Sequence, residues 1–279
     1  MKVSPSCYDC LKRLIHQAAQ LATPDTLLRQ KAIEGGMKVL DSEFSYNQIS
    51  IVIATKIHKV VKEITRNLDP YQAMKDKEME IARELYPEIK LQYKDDFTDH
   101  LKLAAVANAI DFFREPSTIK EDIRKPVSFA VDNSERFEAK LKAANKILYL
   151  ADNAGEIYFD LPLIKWMKQF TDVTYVVKPS PVQDDATLED IREAGLESEF
   201  GRIITTGTAS PGIVFALASD EFKREFEAAG LIFAKGMGHY EALSELPSEG
   251  KFFYCLMAKC QPVANSLGVP LNSYVAMLW

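Results

Sequence analysis

The stretch Lys146 to Leu161 reads KILYLADNAGEIYFDL. An apolar run, Ile147 to Ala151, stops abruptly at Asp152-Asn153-Ala154-Gly155-Glu156, and an amphipathic segment then continues to about Phe170. This pattern predicts a buried parallel strand, a tight turn and a helix. In an open α/β sheet the ligand crevice lies at the carboxyl ends of the strands, where Asp152 and Asn153 fall. Both offer hard oxygen donors suited to Mg²⁺, Mn²⁺ or a similar cation. Taken alone, the stretch favours a plainer role, that of a helix cap.

The pattern around it repeats. Short apolar runs occur at Val127–Ala130, Ile147–Ala151, Val173–Val177, Arg202–Thr205, Leu231–Ala234, Phe252–Met257 and Tyr274–Leu278. Amphipathic helices are expected between them at Glu135–Ala144, Ile157–Phe170, Thr187–Ala194, Glu221–Ala229 and Pro262–Leu267. Strands alternating with helices imply βαβ units, a mostly parallel sheet and right-handed crossovers. The expected fold class is therefore α/β, a Rossmann-like sheet flanked by helices and preceded by a helical N-terminal region.

Residues 1–125 form that helical region and 126–279 the α/β domain carrying the site. In the first part the expected helices begin near Pro5, at Thr23-Pro24, at Ser45 or Asn47, and at Asp69-Pro70-Tyr71, the last ending near Pro87. A fifth runs from Asp95 to Phe113, and Gly35-Gly36 is expected to interrupt or loosen the second.

Composition sets the outer bounds. The chain has 279 residues, enough for one large or two modest domains. Its hydrophobic fraction of 47% and charged fraction of 27% are those of a soluble globular protein. No apolar run is long enough to span a bilayer and no secretory signal opens the chain, so a cytoplasmic location is expected. A net charge of −6 argues against nonspecific nucleic-acid binding and leaves room for a local basic pocket. The oligomeric state is left open. Four cysteines, Cys7, Cys10, Cys255 and Cys260, are too few for a disulfide scaffold of this size. Cys7 and Cys10 share a helix face and would bind zinc with the other two only if the chain ends meet; free or buried thiols are the stronger reading.

A second acidic element, Gln183-Asp184-Asp185-Ala186-Thr187, follows the strand Val173–Val177, about one βαβ unit after Asp152. Two successive strand ends can thus set Asp152, Asn153 and Asp185 around one ion, and as a set this outweighs helix capping. A third element, Lys235-Gly236-Met237-Gly238-His239, combines a compact positive charge with glycines that allow close backbone approach. Its plainer reading is a tight turn with a solvated lysine. Thr206, in Thr205-Thr206-Gly207-Thr208, suits an anion weakly. No GxGxxG follows a strand, and neither a Walker A loop nor a GxSxG elbow occurs.

Together these stretches resemble the DUF89 family of metal-dependent damage-control phosphatases (ARMT1-like), in its archaeal and bacterial branch with an N-terminal CxxC. The matching segments span nearly the whole chain: CYDCLKR at Cys7–Arg13, DPY at Asp69–Tyr71, ANAIDF at Ala107–Phe112, ADNAGE at Ala151–Glu156, PVQDDATLED at Pro181–Asp190, AKGMGHYE at Ala234–Glu241 and AKCQPVANSLGV at Ala258–Val269. The family usually has Asn where His239 stands, and often at Asp184.

The resemblance implies a divalent cation (Mg, Mn, Co or Ni) held by Asp152, Asn153 and Asp185, and hydrolysis of phosphate esters of small metabolites, including damaged or side-product sugar phosphates. It makes Lys235 a phosphate contact, with Gly236 and Thr206 beside it, and puts Asn108 and Asp111 close to the site. Glu156 is either a proton-transfer group or a first-turn glutamate facing the helix dipole. Two alternatives stay open: an S-adenosylmethionine-dependent carboxyl methyltransferase, and a non-catalytic metal- or nucleotide-binding protein.

Overall fold

The computed structural model describes residues 1–110 and 120–279. Among the described residues five α-helices come first: α1 (Pro5–Ala22), α2 (Thr26–Glu43), α3 (Ser50–Thr65), α4 (Gln72–Lys90) and α5 (Phe97–Val106). Strands and helices then alternate: β1 (Phe129–Asp132), α6 (Ser134–Ala143), β2 (Lys146–Leu150), α7 (Ile157–Met167), β3 (Asp172–Val177), α8 (Leu188–Glu193), α9 (Glu197–Phe200), β4 (Arg202–Thr205), α10 (Asp220–Ala228), β5 (Leu231–Lys235), α11 (Gly236–Leu243), β6 (Phe252–Met257), α12 (Gln261–Leu267) and β7 (Tyr274–Leu278). The strands form one sheet in the order β1-β7-β6-β5-β2-β3-β4. Only the β6–β7 pair is antiparallel. Each expected strand is present, and the fold is α/β with a helical N-terminal region.

Alternation along the strands decides which core each side chain joins. Ile147, Tyr149, Phe233, Phe253 and Tyr175 face one way, into a core shared with α4, α5 and α7. Leu148, Leu150, Ile232, Tyr254 and Val176 face the other, against α10, α11 and α12. Both faces are covered, so the central strands read as unbroken apolar runs. From β2 the chain moves outward to β3 and β4, then returns to the other side of β2 to lay down β5 and β6. The order thus reverses between β2 and β5, which is where such sheets open a crevice.

Helices α1 to α3 make a separate apolar cluster around Leu11, Ile15, Leu40, Ile53 and Ile57. The expected break at Gly35-Gly36 is absent, and α2 runs through it. A Cβ on Gly35 would lie 2.6 Å from Ile64 Cδ1, and one on Gly36 would lie 2.7 Å from Ile15 Cγ2. The pair therefore gives α2 two flat spots against α3 and α1, and close packing outweighs the poor helix propensity of glycine.

Other helix boundaries also shift. Thr23 ends α1, while Asp25 caps α2 by accepting from the N–H groups of Leu27 and Leu28 at 2.8 and 3.0 Å. Helix α3 starts at Ser50, because Ile49 is held extended by pairing with Lys2, next to Gln48, whose carbonyl accepts from the Val3 N–H. Helix α4 continues past Pro87 to Lys90. Gly236 to Leu243, expected as a turn, forms α11.

His58 on α3 is enclosed, packs edge-to-face on the Tyr71 ring, and has a buried Nε2 with no hydrogen-bond partner among the described residues. Burial, aided by the charge of Lys62, pushes its pKa down to about 3. A group with a depressed folded pKa contributes stability that is complete above its unfolded value, near 6.5, and is lost as pH falls towards the folded value. Between pH 7 and pH 5, wild-type protein should therefore lose about 2 kcal/mol more than a His58→Gln variant. Urea denaturation at the two pH values measures this; equal losses would mean that the imidazole titrates in the fold as it does in the unfolded chain.

Candidate functional site

A cleft of about 160 Å³ opens at the carboxyl ends of β2, β3, β5 and β6. Asp152, Asn153 and Asp185 line it together with Asn108, Asp184, Gly238 and Lys259. The loops after β2 and β3 are stitched to each other. Asn153 and Asp185 form an antiparallel bridge. The Ala154 N–H donates to the Asp184 carbonyl, and the Ala186 N–H to the Asp152 carbonyl, both at 2.8 Å. Backbone pairing, rather than side-chain contact, thus brings the two acidic elements onto one wall.

Gly236 completes that wall. Its φ is +74°, and a Cβ there would sit 1.8 Å from Asp152 Oδ2. Only glycine fits both the left-handed backbone and the approach of the carboxylate. Gly212, with φ +88°, also lines the cleft and approaches the backbone of Gly238, its added Cβ falling 2.4 Å from the Gly238 carbonyl oxygen.

Asn108 joins three elements. Its Nδ2 donates to Asp152 Oδ2 at 3.1 Å and to Glu156 Oε1 at 2.7 Å, and its Oδ1 accepts from the Met257 N–H at 3.0 Å. It therefore ties the end of β6 to the turn after β2, a role its place in ANAIDF does not reveal. Asp111 lies outside the described residues.

Three residues expected at the site do not line the cleft. Lys235 is fully enclosed: its ammonium reaches Glu156 Oε2 at 2.6 Å, Asp160 Oδ1 at 2.8 Å and the Ala104 carbonyl at 2.6 Å. It faces the α5–α7 side of the sheet and does not line the cleft. Glu156 is also without exposed surface, standing behind the cleft between Lys235 and Asn108. Thr206 is buried in its own turn, where Oγ1 donates to the Thr208 carbonyl at 2.9 Å, and it does not line the cleft. Gly207, with φ +76°, lets that turn close on Ser219.

His239, where the resembled family has Asn, is buried; its Nδ1 contacts the Lys235 carbonyl at 2.7 Å. Burial and the nearby Lys178 push its pKa down to about 3, so it is neutral near pH 7 and consistent with an Nδ1–H donor.

The carboxylates crowd one another. Burial, then the charge of Asp185, pushes Asp152 up to about 6. Asp184 is raised by burial and by both neighbours, and Asp185 by burial, against the pull of Lys178 at 3.3 Å. Glu156 is pushed up to about 7 by burial, even with Lys235 beside it. Among the described residues Asp185 Oδ2 has no well-formed hydrogen bond, only the long contact to Lys178. The wall is thus rich in oxygen donors and short of positive charge. Among the described residues no three His, Cys, Asp or Glu side chains converge as a ready metal cluster.

Sequence reasoning missed the charged layer beneath the cleft. Asp160 accepts from the hydroxyls of Tyr149 and Tyr175 at 2.7 and 2.9 Å as well as from Lys235. Lys178 donates to the Gly212 carbonyl at 2.6 Å. Asp160 stands one helical turn after Glu156, and Lys178 directly follows β3, which are the signals that mark them. All four cysteines are free. No helix among the described residues is long and apolar enough to cross a membrane.

Comparison with known proteins places the whole chain in one family. Residues 3–275 fit the model of the damage-control phosphatase ARMT1-like domain. The chain is 35% identical to a damage-control phosphatase of Pyrococcus horikoshii, over 99% of this chain and 98% of that protein. It is 34% identical to a damage-control phosphatase of Archaeoglobus fulgidus, over 99% of both. The crystal structure of the Pyrococcus horikoshii DUF89 family protein superposes with a TM-score of 0.90 at 34% identity, covering 100% of this chain and 99% of that one. Sequence and fold agree along the full length, and the chain belongs to the damage-control phosphatase ARMT1-like (DUF89) family.

Proposed function

We propose that this protein is a divalent-metal-dependent phosphatase acting on phosphate monoesters of small metabolites, sugar phosphates and damaged or side-product phosphometabolites among them. The observation that carries this reading is the Asn153–Asp185 bridge, which gathers two carboxylates and a neutral amide in an oxygen-rich cleft. Full-length kinship to two proteins named damage-control phosphatases supports the reaction class.

Asp152, Asn153 and Asp185 are the residues that would hold Mg²⁺, Mn²⁺, Co²⁺ or Ni²⁺. The fit rests on the donors themselves: the ligand set carries −2, and burial raises both carboxylates even with Lys178 beside Asp185. When bound, the cation supplies Lewis-acid polarisation of the phosphoryl oxygens. The protein's own groups do the rest. Asn108 orients Asp152, Gly236 makes room for its carboxylate, and the paired loops keep Asp185 opposite Asn153. Glu156 and Lys235 act from behind, as positioning residues. We also read the protein as cytoplasmic.

A panel of sugar phosphates and nucleotides, offered to metal-stripped protein with and without each cation, tests the reading. Phosphate release should require the cation. Release persisting in exhaustively chelated protein would refute it, and methyl transfer from S-adenosylmethionine without phosphate release would favour the alternative enzyme.

A further inference from the structure

We propose that Lys75, on α4 of the helical region, is a positioning residue for the cation site and holds the loop that carries Asp185. This rests on the metal-dependent reading above, which gives α1 to α4 no part in the site.

Lys75 is buried, and its ammonium bridges two carboxylates, Asp190 Oδ1 at 3.0 Å and Asp69 Oδ2 at 3.3 Å. Asp190 uses its other oxygen on the loop itself: Oδ2 accepts from the Thr187 N–H at 2.7 Å and from Thr187 Oγ1 at 2.6 Å. Thr187 in turn bridges to Lys178, the residue that follows β3. The lysine therefore fixes the carboxylate that fixes Thr187, and only Ala186 separates Thr187 from Asp185.

The helical region holds the other end of the same loop. Lys62, on α3, donates from Nζ to the Pro181 carbonyl. Between the two attachments lies Gln183, whose φ of +48° is rarely adopted by a residue with a Cβ. Such a backbone persists where its surroundings over-determine it, and Lys62 and Lys75 pin the chain on either side.

Helix α4 also packs on the first acidic turn. A Cβ on Gly155 would lie 3.4 Å from both Ala82 Cβ and the Glu78 carbonyl oxygen. Glu78 comes three residues after Lys75, on the same side of the helix. One helix thus touches the turn after β2 and, through Lys75, the loop after β3. Loosening Lys75 frees Asp185 to move relative to Asp152 and Asn153.

The competing role for Lys75 is an ion pair that only fastens the helical region to the sheet. In that case its removal lowers stability and leaves the metal affinity of the folded protein alone.

The test compares wild type with Lys75→Met, with Thr187→Val, which removes the hydroxyl beside Asp190, and with Leu40→Ala, which opens a cavity among α1 to α3. Mn²⁺ is titrated calorimetrically into each metal-free protein at a temperature where it is fully folded, and amide hydrogen exchange is followed over residues 182–187. Loss of a partner outside the ligands typically weakens metal binding 10- to 100-fold, and Lys75 stands further back, so Lys75→Met should weaken Mn²⁺ by about 10-fold. Exchange over the loop should quicken in the same variant, and excess Mn²⁺ should return most of its kcat. Thr187→Val should shift Mn²⁺ affinity in the same direction by a smaller factor. Leu40→Ala should lower the melting temperature with Mn²⁺ affinity unchanged. Mn²⁺ affinity within about twofold of wild type in Lys75→Met, or equal weakening in Leu40→Ala, would overturn the inference. If Lys75→Met does not fold, Thr187→Val decides, and wild-type affinity there overturns it. Wild-type protein that takes up none of Mn²⁺, Mg²⁺, Co²⁺ or Ni²⁺ would remove the metal reading itself, and this role with it.

Discussion

Asp152→Ala and Asp185→Ala should each lower kcat/KM by on the order of 10³-fold or more, since each removes a charged donor from the proposed cation site. Asn153→Ala removes a neutral donor, so excess metal should recover part of its activity. Asn153→Asp keeps an oxygen donor but adds a charge; it should hold metal and repel the phosphate dianion, raising KM. Asp184→Asn is the internal control, because its carboxyl is already pushed towards the neutral form and the ligand is assigned to Asp185.

Stability should move the other way. Asp152 is raised to about 6, so near pH 7 its ionised form is held at a cost in the metal-free fold. A group with a raised folded pKa contributes stability at low pH that disappears as pH rises through the folded value. Metal-free Asp152→Ala should thus melt no lower than wild type at pH 8, and added Mn²⁺ should stabilise wild type far more than the variant. Steady-state kinetics and thermal melts with and without Mn²⁺ check both halves. Full activity in Asp185→Asn with loss in Asp184→Asn would show that the neighbouring aspartate is the ligand.

Lys235→Met has the largest expected effect on stability. The ammonium is the shared partner of Glu156 and Asp160, all three groups being fully enclosed. Removing one member of a buried ion pair typically costs about 3–5 kcal/mol, because the remaining charge is stranded. The melting temperature should fall by roughly 10 °C for a chain of this size. Neutralising a stranded partner as well, in Lys235→Met/Glu156→Gln, should recover a good part of that loss. Differential scanning calorimetry of both variants decides it. A Lys235→Met protein that melts like wild type yet fails to bind phosphate would return this lysine to the substrate.

Much of this molecule was legible along the chain. Strand parity and unbroken apolar runs such as Ile147–Leu150 are local consequences of burial on both faces, so the sheet could be read without knowing the strand order. The two acidic turns were legible because carboxyl ends of parallel strands lie along one edge. The adjacent strands β2 and β3 then bring Asp152, Asn153 and Asp185 together.

What the chain order concealed was depth. Lys235 and Lys259 both follow strands that end at the cleft, and by position alone either can meet a phosphate. Register separates them. Lys235 still pairs with Cys255 inside the ladder and shares the parity of Leu231 and Phe233, so its side chain enters the core beside α5 and α7. Lys259 lies beyond the last paired residue of β6, where the backbone turns out over the edge. Likewise, Gly35-Gly36 reads locally as a helix breaker and becomes a packing surface only when α1 and α3 press on it. Propensity and alternation are properties of neighbours in sequence, and they determined the elements. The partners of a buried charge, and which of two lysines reaches the cleft, depend on contacts between residues far apart in the chain, and only the tertiary structure decided those.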